Sequence, residues 1–499
     1  MKNIFLAIIG MVICITAYSQ RNSVLSAIKG TVSKPDTIQL AATAKTASLS
    51  GGDITSFKVS VLPKNKLVVI FTPAADFTGV TRATVDIKNA AGKNITTVNV
   101  TGLSTKGIEG ENEAPLSWIT DALGYKVDLG WTGLPNHARP ELQGGELPPS
   151  LFQKAGKGKV EIIPVARYSP DFELPFGYYL NKNASAQLYE VGVLAKAGAY
   201  PEHQILFPAT AKGSHSFDPG EELFGFYATG PTHTAYSEDV WNMLLHPANA
   251  IRGTRIYPLK DASGNALKNT YLLCFEEAKN GDYNDYVFLV KNITPVKKDP
   301  FTRLFDGKDL NGWHSFLQGI GTNTDPNHNF LIEDSMLHVV GQDLGYVITN
   351  KSYADYHFKV DFKWGERRWG SRQKEKRDAG VCYNIPKDEP DSIWPQSIEC
   401  QVQEGDVGDF WLLGFSTIKV NNVINKPANH TRMIKQKDAE KPTGEWNTLE
   451  IISYHGKCVH IVNGVVVNVG EDASVKDGRI LLQSEYAEIY YKNVMIRQL

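Results

Sequence analysis

The sequence predicts an all-β, multidomain chain. Three observations carry that expectation. Short runs of β-branched and aromatic residues with period-two alternation recur along the chain, bounded by Gly, Pro, Asn and Asp. No long amphipathic helical pattern interrupts them. The length, 499 residues, suits roughly three domains. Texture shifts divide it into an N-terminal immunoglobulin-like sandwich at 21–105, a β-rich module at 112–297 and a jelly roll at 301–499. Hydrophobic residues make up 42% and charged residues 21%, which is ordinary for packed globular cores. The formal net charge of −2 argues against a nucleic-acid partner. The basic run Arg367–Arg377 is too short to reverse that, and reads as a solvated loop bordering a site.

Taken in order, residues 1–19 read as a secretory signal. Lys2 supplies the positive start, Ile4–Ala17 the apolar stretch, and Ala17-Tyr18-Ser19 the small-residue cleavage site before Gln20. Ile13 before Cys14 is too bulky for lipoprotein processing, and no later apolar run has transmembrane length. A periplasmic or secreted protein without a membrane span is expected. The remaining cysteines, Cys274, Cys382, Cys400 and Cys458, lack metal-type spacing and sit in alternating apolar runs. Buried free thiols are expected; if one disulfide forms, Cys382 and Cys400 on consecutive strands are the pair.

In the first domain Thr55–Leu62, Leu67–Phe71, Ala83–Ile87 and Thr96–Val100 are strand-like, at a spacing that suggests an immunoglobulin-like module. It carries no catalytic constellation, so a spacer or docking role is its reading. The second unit ends in Phe275–Phe288, an acidic loop leading into an apolar strand. Asp282, Asn284 and Asp285 there offer hard oxygen ligands suited to calcium, while Asx-turn capping accounts for the same residues without metal. Lys297-Lys298-Asp299-Pro300 is a polar linker.

Beyond Phe301 the aromatic density rises. Six of the nine tryptophans (Trp313, Trp364, Trp369, Trp394, Trp411 and Trp446) lie there, where a sugar would need stacking surfaces. Tyr356, Phe358, Val360, Phe362 and Trp364 form one continuous apolar strand face, and Asn463-Gly464 is a type I′ hairpin signal. A two-sheet jelly roll fits. Trp394–Asp406 is the most informative stretch. Ile398, Cys400 and Val402 point one way, and Glu399, Gln401 and Gln403 the other. One carboxylate and two amides, with no Lys, Thr or Ser among them, suit a ligand rich in hydroxyls better than plain solvent.

Five motifs in order, Leu304–Trp313, Asp378–Val381, Ser397–Gln401, Glu445–Thr448 and Ile480–Glu485, make residues 301–499 resemble the 3-keto-disaccharide hydrolase family. The resemblance implies a concanavalin-like jelly roll acting on oxidised glycosides. The family's usual Asn-Ser-Gly element is replaced here by Asp378-Ala379-Gly380, and Glu404–Trp411 marks a subgroup.

The implied chemistry has its own logic. A ketone at C3 acidifies the C2 proton; its removal gives an enolate that expels the C1 substituent, and water then adds back. The route needs a base, an acid and an electrophile for the enolate. Glu399 is the expected base and Asp378 the expected acid or second carboxylate, with pairing to Arg377 or turn capping as Asp378's structural alternative. Gln401, Gln403, Gln483, Glu485, Tyr383 and Trp394 are expected to contact the carbohydrate. Trp394 and Trp411 are equally readable as core. Arg372 or Arg377 would stabilise developing charge. A divalent cation at Glu404 and Asp406, with Asp409 beside them, is an alternative electrophile, against a plain solvated acidic loop. Residues 301–499 are expected to fold and act alone. Two other functions suit the same cleft. One is a lectin-like carbohydrate-binding protein. The other is a classical two-carboxylate glycosidase, whose carboxyls would stand about 5–5.5 or roughly 6.5–9.5 Å apart.

Overall fold

The computed structural model describes residues 22–132, 141–197, 204–248, 251–276, 280–296 and 301–499. The expected signal segment at 1–19 and the linker Lys297–Pro300 lie outside the described residues. Strands account for 50% of the described residues and helices for 5%, so the all-β, multidomain expectation holds. Among the described residues no helix is long and apolar enough to cross a membrane.

Residues 22–105 form two facing sheets. Asn22–Ile28, Asn94–Thr105, Gly79–Lys88 and Thr46–Gly52 make a four-stranded sheet, and Asp36–Gln39, Lys66–Phe71 and Phe57–Leu62 a three-stranded one. Alternate residues Leu67, Val69 and Phe71 are buried between them, as period-two patterning requires. The first strand pairs parallel with the last.

The middle unit packs a five-stranded sheet centred on Leu174–Lys182 against a second sheet built around Val160–Tyr168 and Tyr286–Lys291. Phe176, Phe226, Phe275 and Phe288 fill the space between.

The C-terminal domain is a two-sheet sandwich. Its eight-stranded sheet includes Tyr356–Arg368, Asn447–Tyr454, Lys457–Val462 and Ala487–Gln498, and its nine-stranded sheet includes Gly345–Thr349, Asp477–Ser484, Gly380–Ile385, Ser397–Gln401 and Phe410–Leu413. The expected apolar face from Tyr356 to Trp364 is buried against Val381, Ile398, Cys400 and Leu482 of the other sheet. Asn463 and Gly464 both adopt positive φ, 49° and 76°, joining Val462 to its partner Val465 as the type I′ signal predicts.

The eight-stranded sheet is buried on its outer face as well. Ile452, Val459, Ile461 and Val466 pack against Tyr179, Tyr236, Trp241 and other residues of the middle unit, and Arg497 pairs with Glu238 at 2.7 Å. The domain expected to stand alone therefore shares an apolar interface with its neighbour.

Candidate active site

Register decides which side chains meet. Ser397–Gln401 lies between Gly380–Ile385 and Phe410–Leu413, with Glu399 opposite Cys382 and Trp411, and Gln401 opposite Gly380. Asp477–Ser484 joins on the far side of Gly380–Ile385, pairing Leu482 with Val381. Side chains of Glu399, Gln401, Gln483 and Trp411 thus emerge on one sheet face and line a cleft of about 310 Å³, at the small end of ligand-site volumes. Asp378, Gln403, Glu485, Arg372, Trp394 and His430 complete its wall.

Gly380 makes this convergence possible. A Cβ there would stand 2.5 Å from Gln483 Oε1 and 2.8 Å from Glu399 Cδ, and closer still to Glu399 Oε1. Only a residue without a side chain lets both groups lie across that strand.

Three carboxyls, Asp378, Glu485 and Glu399, crowd the cleft, and one guanidinium serves two of them. Arg372, on the turn Gly370–Gln373, pairs with Asp378 and reaches Glu485 at 3.3 Å. Gln403 donates a 2.7 Å hydrogen bond to Asp378 Oδ2. Burial raises all three carboxyls, but unequally. Burial pushes Asp378 to about 6, with Arg372 and Gln403 opposing the rise. Burial and the neighbouring Asp378 take Glu485 to about 8, again opposed by Arg372. Burial, then Glu485, then Asp378 hold Glu399 well above the ordinary carboxylate range. The group titrates as a unit; burial keeps Glu399 and Glu485 protonated at neutral pH, while Asp378, held lowest of the three, carries charge.

Several polar atoms in this cleft lack partners despite their burial: Asp378 Oδ1, Arg372 Nε, Gln483 Oε1 and Trp411 Nε1. Such orphans are costly in a finished structure.

Residues 300–497 match the 3-keto-alpha-glucoside-1,2-lyase-like domain. The match bears out the family resemblance over that part of the chain and makes the lyase-like domain a carbohydrate-active one. Solved structures similar to the chain include two proposed glycosyl hydrolases from Parabacteroides distasonis ATCC 8503. One has 20% identity over 40% of this chain and 94% of its own, with TM-score 0.29; the other has 20% identity over 40% and 99%, with TM-score 0.28. The carbohydrate binding module CBM66 from Bacillus subtilis has 11% identity over 38% and 96%, with TM-score 0.27. No curated protein matches.

Within the lyase-like domain, Glu399, Asp378, Gln401, Gln403, Gln483, Glu485, Trp394 and Arg372 line one cleft. Trp394 and Trp411 line the cleft while also touching the small apolar cluster beneath it. Asp378 pairs with Arg372 rather than Arg377.

Tyr383 is a correction. It is fully buried in the core between the sheets and its hydroxyl donates to His460 Nε2 at 2.9 Å, since His460 Nδ1 is occupied by Gly408 O. Strand alternation puts it opposite in sense to Cys382, away from the cleft. Arg377 is a second correction: it is tied to Glu404 at 2.8 Å and to Gly365 O, away from the cleft wall.

Glu404 and Asp406 are both paired with cationic side chains. Arg377 neutralises the first, and Lys376 and Arg432, each at 2.9 Å, the second; Arg432 and the Lys435 amide occupy Asp409. The Cys382–Cys400 pairing also fails, because Cys382 stands opposite Glu399 and Cys400 opposite Val381, which places the thiols on opposite faces. All four described cysteines are free and buried, matching the main expectation.

His430 was missed. It enters from the short edge strand His430–Met433, opposite Leu413, and that four-residue strand has no alternation to mark it.

Proposed function

We propose that the lyase-like domain cleaves 3-keto glycosides by elimination and hydration. The observation that supports this best is the set of three crowded carboxyls, only two of them paired with the single guanidinium of Arg372, in a cleft with unpaired polar atoms. A binding cleft alone gains nothing from buried like charges, whereas acid–base chemistry uses groups whose environments separate their protons.

The proton distribution favours roles opposite to those expected from sequence. Asp378, ionised and with Oδ1 free of partners, takes the C2 proton. The C–H electron pair moves into the C2–C3 bond, and the C3 oxygen becomes an enolate facing the positive charge of Arg372. The enolate collapses to a C1–C2 double bond, the C1–O bond breaks, and the departing oxygen takes the Glu399 proton. Water then adds its hydroxide to C1 and its proton to C2. A 3-keto sugar and the free aglycone result, and both carboxyls return to their starting states once Asp378 gives up its proton to water and Glu399 regains one. Gln401, Gln403 and Gln483 hold hydroxyls, and Trp394 and Trp411 offer faces for the ring.

The test is aglycone release from 3-keto and unmodified glucosides side by side, using the full chain and Glu399→Gln. Release from the keto substrate alone is expected. Glu399→Gln should lower turnover by roughly 10²–10⁴-fold for a poor leaving group, the usual worth of a positioned acid, and far less for a nitrophenolate. Equal loss with both leaving groups would return Glu399 to the role of base. Turnover of the unmodified glucoside would favour the classical glycosidase, and binding without turnover the lectin.

A further inference from the structure

A second polar cluster lies outside the lyase-like domain, in the middle unit. The strands Ala266–Phe275 and Tyr286–Lys291 are neighbours, and the chain between them carries Glu276, Asp282, Asn284 and Asp285. All four are buried. One ligand oxygen from each of Glu276, Asp282 and Asp285 lies within 4.8 Å of the others. Oxygens on opposite sides of a calcium ion, each about 2.4 Å from it, stand roughly that far apart.

Glu113 comes from the chain that leaves the N-terminal sandwich and enters the short helix Leu116–Ala122. Asn284 Nδ2 donates to the Ala114 carbonyl at 2.8 Å, which draws this segment onto the hairpin. Turn capping uses only part of the oxygen set. Asp282 Oδ2 accepts from Asn280, and Glu276 Oε2 accepts from the Gly281 and Tyr283 amides. Asp282 Oδ1, Asn284 Oδ1 and Glu113 Oε2 remain without partners, on residues only 5%, 1% and 8% exposed. An unpaired oxygen that deeply buried costs about 1–3 kcal/mol, and more when charged.

We propose that Glu113, Glu276, Asp282, Asn284 and Asp285 form a calcium site that fastens the exit of the N-terminal sandwich to the middle unit. The ligands are all hard oxygens, from carboxylates and one amide, with no nitrogen or sulfur, the set that calcium takes and softer metals do not. Glu113 faces the negative charge of Asp282, Glu109 and Glu276, a surplus that a cation would balance. The ion's role is structural: residues 105–116 would dock rigidly on the hairpin with it and loosely without it.

The experiment uses the full chain, stripped with chelator and dialysed against calcium alone. One ion per chain is expected, with affinity in the range of extracellular modules, about 10⁻⁴–10⁻³ M, or tighter. A rise in melting temperature of several degrees should accompany it, since the ion binds only the folded form. Glu113→Gln and Asp282→Asn, both near-isosteric, should each weaken binding at least tenfold, while Glu399→Gln in the cleft should leave it unchanged. Folded, stripped protein that takes up no calcium at several millimolar would overturn the proposal without any variant. So would calcium uptake that both substitutions leave intact, or that Glu399→Gln abolishes.

Discussion

Gly380→Ala isolates the geometry of the cleft from its chemistry. Gly380 has no left-handed φ in this fold, so alanine meets no backbone strain there; everything it costs comes from the new methyl. That methyl would sit 2.8 Å from Glu399 Cδ and 2.5 Å from Gln483 Oε1, where ordinary contact begins at 3.4 Å. The carboxyl carbon must retreat by at least 0.6 Å and its nearer oxygen by more, a displacement on the order of 1 Å for the proton it delivers. Misplacement on that scale is worth about 10²-fold in turnover. Turnover of a 3-keto glucoside with a poor leaving group should therefore fall by about two orders of magnitude in Gly380→Ala. KM should change little and the melting temperature by only a few degrees. The double variant with Glu399→Gln decides the cause. If the methyl acts through Glu399, adding it to Glu399→Gln should cost far less than it does alone. Full additivity, or wild-type turnover in Gly380→Ala, would refute the idea that Gly380 positions Glu399.

Three other outcomes follow from the same geometry. The low-pH limb of kcat/KM should turn near pH 6, with activity rising as Asp378 loses its proton and falling at higher pH as Glu399 loses its own; a limb that moves with Asp378→Glu but stays in Glu399→Gln would support the assignment. Burial depresses His460 to about 3, so it stabilises the fold fully above its ordinary value near 6.5 and progressively less as pH falls toward 3. The loss is on the order of 4–5 kcal/mol, and acid unfolding monitored by circular dichroism should move to lower pH in His460→Gln. A fragment of residues 301–499 should turn over substrate yet aggregate, because Ile452, Val459, Ile461 and Val466 lose their cover; light scattering that shows a stable monomer would mean this interface contributes little.

The polar face of Ser397–Gln401 was readable because period two is a local rule and the strand obeys it, which put Glu399 and Gln401 in the cleft without any tertiary information. The same rule, applied one strand earlier, also places Tyr383: Gly380 and Cys382 share the cleft side, so Tyr383 must point into the core. An aromatic ring with a hydroxyl suits a sugar contact by residue type, but strand register overrides type here. Arg372 and Arg377 are different. They sit five positions apart on an irregular segment, and only the turn at Gly370–Gln373 brings one guanidinium to Asp378 and Glu485 while the other is held by Glu404. The domain interface did leave a local trace. Ile451-Ile452 and Ile461-Val462 are apolar on consecutive positions, the mark of a strand buried on both faces, where a sheet with one wet face would alternate. Glu113 left none. It lies well over a hundred positions from Asp282, in a segment with neither helical nor strand period. No spacing rule joins two carboxylates so far apart, and the meeting of Glu113 with the hairpin depends on how the sandwich exit packs against the second sheet of the middle unit. Local propensity marks elements and faces, whereas a buried gathering of like charges is set by tertiary packing alone. The calcium experiment therefore tests a contact that the structure supplies and the sequence could not.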